Sequence, residues 1–178
     1  IQYSGSSNLP GASDAVIVDD VPLVHTTQFL PLDKSGNIVG SGDINAQVNQ
    51  VFLNITSALK NAGSNLNQTV KLNIYIRNSG LISAVQEQIN KRFKSGKSPA
   101  LSFVAGDLAH SDALISMDAI AVSAKIKSEG VNYLIPGNLS SAPGVARAAI
   151  LPAGPVVYVS GQAVKGELAE ATRGTLEQ

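Results

Sequence analysis

Apolar side chains recur along this chain in two rhythms, and each rhythm marks a kind of element. Val48, Val51, Phe52, Ile55 and Leu59 fall at i, i+3, i+4, i+7 and i+11. That spacing places them in one stripe of an amphipathic helix. Ser41 or Asp43 offers the N-cap, and Gly63 the C-cap. Immediately afterwards the rhythm changes to two. Val70, Leu72, Ile74 and Ile76 alternate with Lys71, Asn73, Tyr75 and Arg77, which predicts a strand with one dry face. The other face carries polar groups on long stems and is expected to meet water or another subunit. A second helix is predicted over about Leu81 to Phe93, with Ile82, Val85, Ile89 and Phe93 on one side. Strands are predicted over Ala15–Val18 and Val21–Gln28 around an Asp19-Asp20 turn, over Pro99–Val104, and over Leu114–Ala124. The last of these is apolar on both faces, so a central position is expected. Two helices that each lie between strands predict an α+β fold with a single mixed sheet and both helices on one face.

The tail repeats the opening. Ala148-Ala149-Ile150-Leu151 followed by Pro155 to Gln162 is similar to Ala15 to Gln28, with Ser160-Gly161-Gln162 standing where Thr26-Thr27-Gln28 stands. Glu167 to Gln178 reads as a capped helix start. Residues 128–145, with Gly130, Pro136, Gly137, Pro143 and Gly144, have the composition of a linker. The expected organisation is a module over 1–127, a linker over 128–145, and the N-terminal part of a second module over 146–178. A partial module cannot bury its own apolar face, so the tail is expected either to be completed by a partner or to dock elsewhere.

Composition narrows the function classes. The chain has 178 residues, with 13 Lys plus Arg against 13 Asp plus Glu, and 4% aromatic residues. Zero net charge and few stacking groups argue against a nucleic-acid partner. The absence of a polybasic segment and of a long apolar run argues against a membrane partner. Without cysteine there is no thiolate nucleophile, disulfide or Cys-based zinc site. The start at Ile1 predicts a removed leader or a trimmed numbering, and the Ser4–Asn8 opening favours export, with a cytoplasmic location as the alternative.

Several short matches carry little. Gly96-Lys97-Ser98 mimics the end of a phosphate-binding loop, but Lys91 stands where its first glycine belongs. Gly40-Ser41-Gly42 lacks the third glycine of a dinucleotide fingerprint, because Asn45 stands there. His110-Ser111-Asp112 supplies two potential metal ligands without a third, so no metal or other cofactor is expected. His25 reads as an interface residue. The cluster Lys91, Arg92, Lys94 and Lys97 reads as a basic last turn that complements the helix dipole rather than as an anion site. The sequons Asn54-Ile55-Thr56, Asn67-Gln68-Thr69 and Asn138-Leu139-Ser140 matter only in a eukaryotic secretory pathway.

The order strand, strand, helix, strand, helix, strand, strand resembles the RidA/YjgF family. Val51-Phe52-Leu53-Asn54-Ile55 through Ala62-Gly63 is similar to its "L-x-N-I…L-x-x-A-G" helix, and Thr69-Val70-Lys71 through Asn78 to its "VVK…VYL-x-D" strand. Ser98-Pro99-Ala100 resembles the start of its "P-A-R" strand, Met117 to Ala121 its "IEAIA" strand, and Ser160-Gly161-Gln162 its "SGQ" hairpin. The resemblance implies a chorismate-mutase-like α+β fold and a homo-oligomer, a trimer or pseudo-trimer, with small-molecule clefts between neighbours. It also implies hydrolysis of enamines and imines to 2-keto acids, a reaction that needs an arginine to grip the substrate carboxylate and a carboxylate to help position water.

On that resemblance Asp118 takes the catalytic position. Ser102, Leu101, Gln86, Thr27 and Gln28 take the substrate-binding positions. The departures are specific. Leu101 stands where the family's arginine belongs, Ala12 and Ser13 occupy a stretch where an aromatic residue is common, and Asp118 is one methylene shorter than the family's Glu. Two expectations follow. One is a small-molecule-binding or assembly module without standard iminase activity. The alternative is a hydrolase of imines or related metabolites with a rebuilt cleft, in which Asp118 positions water, Ser102 holds the substrate, and the substrate is neutral or apolar. Ribonuclease activity, also associated with the family, is disfavoured by the charge balance.

Overall fold

A computed structural model describes residues 1–4, 12–93, 97–124, 130–156 and 166–177. The strands among them are β1 (Gln2–Ser4), β2 (Ala15–Ile17), β3 (Leu23–Thr26), β4 (Thr69–Ile76), β5 (Ala100–Ala105), β6 (Ile115–Val122), β7 (Asn132–Leu134) and β8 (Ala148–Leu151). The helices are α1 (Ile44–Asn61), α2 (Ile82–Asn90) and α3 (Leu168–Leu176). The architecture is α+β. A six-stranded mixed sheet runs in the order β5-β4-β6-β3-β8-β7, and β1 and β2 form a separate two-stranded ribbon. β4 and β5 are parallel and need a crossover, which α2 supplies; the other pairs in the large sheet are antiparallel.

The core lies between one face of this sheet and helices α1 and α2. Val48, Val51, Phe52, Ile55 and Leu59 of α1 bury the stripe read from the sequence, and Val85 and Ile89 of α2 join them. Leu72, Ile74 and Ile76 of β4 and Met117, Ala119 and Ala121 of β6 supply the sheet side. Asp43 caps α1, its Oδ1 accepting from the amides of Asn45 at 2.9 Å and Ala46 at 3.1 Å. Gly40 turns the chain into that cap at φ +69°, where a side chain would also run into Ala46. Gln47 is fully buried and satisfied. It donates to the carbonyls of Gly40 and Asp112 and accepts from the amide of Leu114, tying α1 to the entry of β6.

β2 and β3, which flank Asp19-Asp20, do not pair with each other. β2 pairs with β1 instead, and Ser13, just before β2, bridges Ala100 beside the outer edge of β5. Ser13 Oγ donates to the carbonyl of Ser98 at 2.7 Å, which anchors that segment at the far side of the sheet. The outer edge of β3 is taken by β8, from the tail, in antiparallel register: Leu23 faces Leu151, Val24 faces Ile150, His25 faces Ala149 and Thr26 faces Ala148. Ile150 and Ala148 sink into the core at 2% and 1% exposure, whereas Ile17 of β2 is 54% exposed. The tail therefore docks into the main sheet, using a strand similar in sequence to the one that lies elsewhere. Within residues 128–145, read from composition as linker, Asn132–Leu134 forms β7, which borders β8 and is the last strand of the sheet. Its backbone pairing with β8 fixes it despite the glycine and proline around it.

Candidate functional site

The face of the sheet opposite the helices carries a polar row. Alternation along β4 turns Lys71, Asn73 and Tyr75 onto this face while Leu72, Ile74 and Ile76 fill the core. Register aligns Asn73 with Asp118 of β6 on one side and with Ser102 of β5 on the other. Asn73 Nδ2 donates to Asp118 Oδ1 at 2.8 Å, and the Tyr75 hydroxyl lies close enough to the same carboxylate to favour its ionised form. Lys71 Nζ donates to Ser102 Oγ at 2.6 Å. His25 on β3 faces Ile120 of β6 and is close enough to Asp118 for their charges to interact.

Electrostatics here are governed by partial burial. Loss of hydration raises the Asp118 carboxyl above its ordinary range, and the Asn73 bond, the Tyr75 hydroxyl and the His25 and Lys71 charges offset that only in part. The same loss of hydration lowers His25 and Lys71 and raises Tyr75. The result is a carboxyl beside two neutral donors, with an ammonium and an imidazole close by and no guanidinium bonded to it among the described residues.

The loop after β3 closes this row at one end. Thr26 Oγ1 accepts from the Ala119 amide at 2.9 Å, and Phe29 exchanges backbone hydrogen bonds with Met117. One extra residue of the β3 side is thus accommodated between the pairs His25–Ile120 and Phe29–Met117. The bulge brings Gln28 to Ser116, whose Oγ accepts from Gln28 Nε2 at 2.6 Å, two residues from Asp118 on the same strand. Thr27 donates its amide to the carbonyl of Arg147, just before β8, at 3.0 Å.

The residues singled out from the sequence therefore separate into two groups. Asp118 and Ser102 share the open face, and Thr27 and Gln28 border it. Leu101 and Gln86 do not join them. Leu101 faces Leu72 in parallel register and packs with Phe103 against the core, because neighbouring positions on a strand point to opposite sides. Gln86 is buried on α2, in the helical layer. Arg77 is also absent from the row. Its Nε donates to the Ala113 carbonyl at 2.9 Å, its guanidinium donates to the His110 carbonyl at 2.8 Å, and Asp107 lies 3.7 Å away. His110 Nδ1 accepts from the Asp112 amide, so that pair builds a turn. Among the described residues no group of three or more His, Asp or Glu is placed to hold a metal, and no helix is long and apolar enough to cross a membrane.

Sequence reasoning missed Ser116 and Arg147. The period-two spacing from Ser116 to Asp118 signals the first; nothing local signals the second. The Ser160-Gly161-Gln162 triplet lies outside the described residues. A cleft of about 360 Å³ opens between the turn after β2 and the end of β8, lined by Val18, Asp19, Asp20, Val21, Leu23, Gly154 and Val156. Among its described lining residues none is basic.

A mixed sheet with two helices on one face and a carboxyl-centred polar row on the other defines a class: small α+β modules of the Rid type. Residues 13–123 match the family model described as Endoribonuclease L-PSP, and the chain belongs to that family, the RidA/YjgF family. It is 36% identical over 93 residues to a RutC family protein of Pyrococcus horikoshii, covering 52% of this chain and 72% of that one. It is 30% identical over 99 residues to the 3-aminoacrylate deaminase RutC of Acinetobacter baylyi, covering 56% and 78% respectively. Among solved structures, a conserved Rid-family protein of Yersinia pestis superposes with a TM-score of 0.62 at 26% identity, over 68% of this chain and 97% of that one.

Proposed function

We propose that this chain is a RidA-type module that binds a small molecule or serves as an assembly subunit, without the iminase activity of the family's deaminases. The observation that carries this reading is that, among the described residues, no guanidinium is bonded to Asp118. The position that resembles the family's arginine is Leu101, and its side chain belongs to the core. Arg77 is committed to the carbonyls of His110 and Ala113.

Gripping a substrate carboxylate with a bidentate, charge-assisted pair is worth a few kcal/mol, and its loss lowers the rate by orders of magnitude. Once ionised, the Asp118 carboxylate repels an anion beside it, and while protonated it offers one only a neutral donor, so the open face suits a neutral ligand. Lys71, Asn73, Tyr75, Ser102 and Gln28 present donors and acceptors toward it. The same half-buried face fits an inter-subunit surface, and a trimer is the assembly this reading favours. Ammonia release from freshly generated 2-aminoacrylate tests the reading, and the expected rate is that of the buffer alone. Native mass measurement tests the assembly, with a trimer of the 18.4 kDa chain as the expected species.

A further inference from the structure

Arg147 is a half-buried cation with no counter-charge paired to it among the described residues. Among the described residues its guanidinium has no ion pair and no hydrogen bond. It lies 4.6 Å from the centroid of the Phe29 ring, and its Nε is buried without a partner. Loss of hydration lowers its pKa, as expected for a guanidinium drawn from water without a counter-charge. A π face offsets part of that cost, but buried charges are ordinarily paired.

A second orphan lies beside it. Thr27 Oγ1 is buried and also has no hydrogen-bond partner. The two residues are held opposite each other, because the Thr27 amide donates to the Arg147 carbonyl at 3.0 Å and continues the β3–β8 ladder by one residue. Directly opposed residues of an antiparallel pair project to the same side, with Cβ atoms about 5 Å apart. The backbone that holds them is fixed: the Arg147 amide donates to the Leu134 carbonyl at 2.8 Å, and Thr26 Oγ1 donates to the Thr27 carbonyl at 3.0 Å. Two unpaired donors, one of them cationic, thus belong to facing residues where the tail strand joins the loop after β3.

We infer that Arg147 and Thr27 form a binding site for a small monocarboxylate, assembled only because β8 docks on β3. A carboxylate's two oxygens match the Nε–H and neighbouring N–H of a guanidinium, and one of them can also accept from the threonine hydroxyl. A single cationic group balances one negative charge, so a monoanion fits better than a sulfate or phosphate dianion. The inference goes beyond the reading of the Asp118 face and does not rest on it. The two sites can succeed or fail separately.

The test is a titration of the full ¹⁵N-labelled chain with sodium acetate at constant ionic strength, following the Arg147 Nε–H resonance, assigned from its loss in Arg147→Lys. Acetate is expected to shift that resonance along a saturating curve, and sodium chloride or sulfate to leave it in place. Thr27→Val should weaken acetate binding by about tenfold or more, the loss typical of one hydrogen bond to a charged group. Arg147→Lys should abolish the saturating shift at the Thr27 amide. If either variant loses the native amide spectrum, the wild-type titration decides alone. An Nε–H resonance unmoved by acetate, or moved equally by chloride, would overturn the inference. So would unchanged acetate affinity in a folded Thr27→Val chain.

Discussion

Replacing Ile150 by alanine tests whether the tail strand is part of the main sheet. Ile150 is 2% exposed, faces Val24 across β3, and belongs to the same core as Leu72 and Met117. The substitution deletes three buried carbons. At about 0.8 kcal/mol for each, the transfer loss is roughly 2.4 kcal/mol, and the cavity left behind brings the cost to about 2–4 kcal/mol. The control is Ile17→Ala in the similar segment Ala15–Ile17. Ile17 is 54% exposed, so its truncation should cost under about 0.5 kcal/mol. Urea unfolding followed by circular dichroism reads both. With a slope of about 2 kcal/mol/M for a chain of this size, the Ile150→Ala midpoint should fall by roughly 1–2 M while Ile17→Ala stays near the parent. Equal losses, or a larger loss for Ile17→Ala, would mean that Ala15–Ile17 occupies the edge of β3 and that the tail does not.

Two further substitutions test the local arguments. Asp118→Asn keeps an acceptor for Asn73 and Tyr75 and removes the charge. Because burial raises the folded pKa of Asp118, the unfolded chain loses its proton first as pH rises. The wild type therefore loses stability between the ordinary carboxylate range and the raised value, and stays level above it. The variant should lack that decline and be more stable at neutral pH by up to about 1 kcal/mol, a modest figure because the group is only half buried; a steeper acid-range slope in the variant, measured by urea unfolding at several pH values, would contradict this. Gly40→Ala should cost about 2 kcal/mol, from a positive φ combined with contact against Ala46, and thermal unfolding would expose the reasoning as wrong if the variant matched the parent.

Much of the fold was legible because it depends on local period. The α1 stripe and the alternation along β4 carry their own burial pattern, and the structure buries those faces; β6 takes the central position expected of it but leaves Asp118, Ile120 and Val122 on its second face partly exposed. Pairing between distant strands is a different kind of information. Ala15–Ile17 and Ala148–Leu151 have similar patterns, and periodicity alone does not say which lies against β3. The docking is settled by contacts between residues more than 120 positions apart. β7 was hidden for another reason: three residues are too few to show a period, and the surrounding glycine and proline resemble linker.

The candidate site divides along the same line. Lys71, Asn73 and Tyr75 were readable as one polar face, and Asp118 as a carboxyl in an apolar strand. Which of Leu101 and Ser102 shares the face of Asp118, and that Ser116 and Gln28 meet, required the register between strands. Arg147 acquires meaning only from the ring it covers and the residue it pairs with across the strands.

Ammonia release from iminopropionate, measured for the native assembly and for Asp118→Asn at equal concentration, tests the central claim most directly. Both should match spontaneous hydrolysis. A wild-type rate well above buffer that falls in Asp118→Asn would show iminase chemistry at the Asp118 face, and would contradict the account.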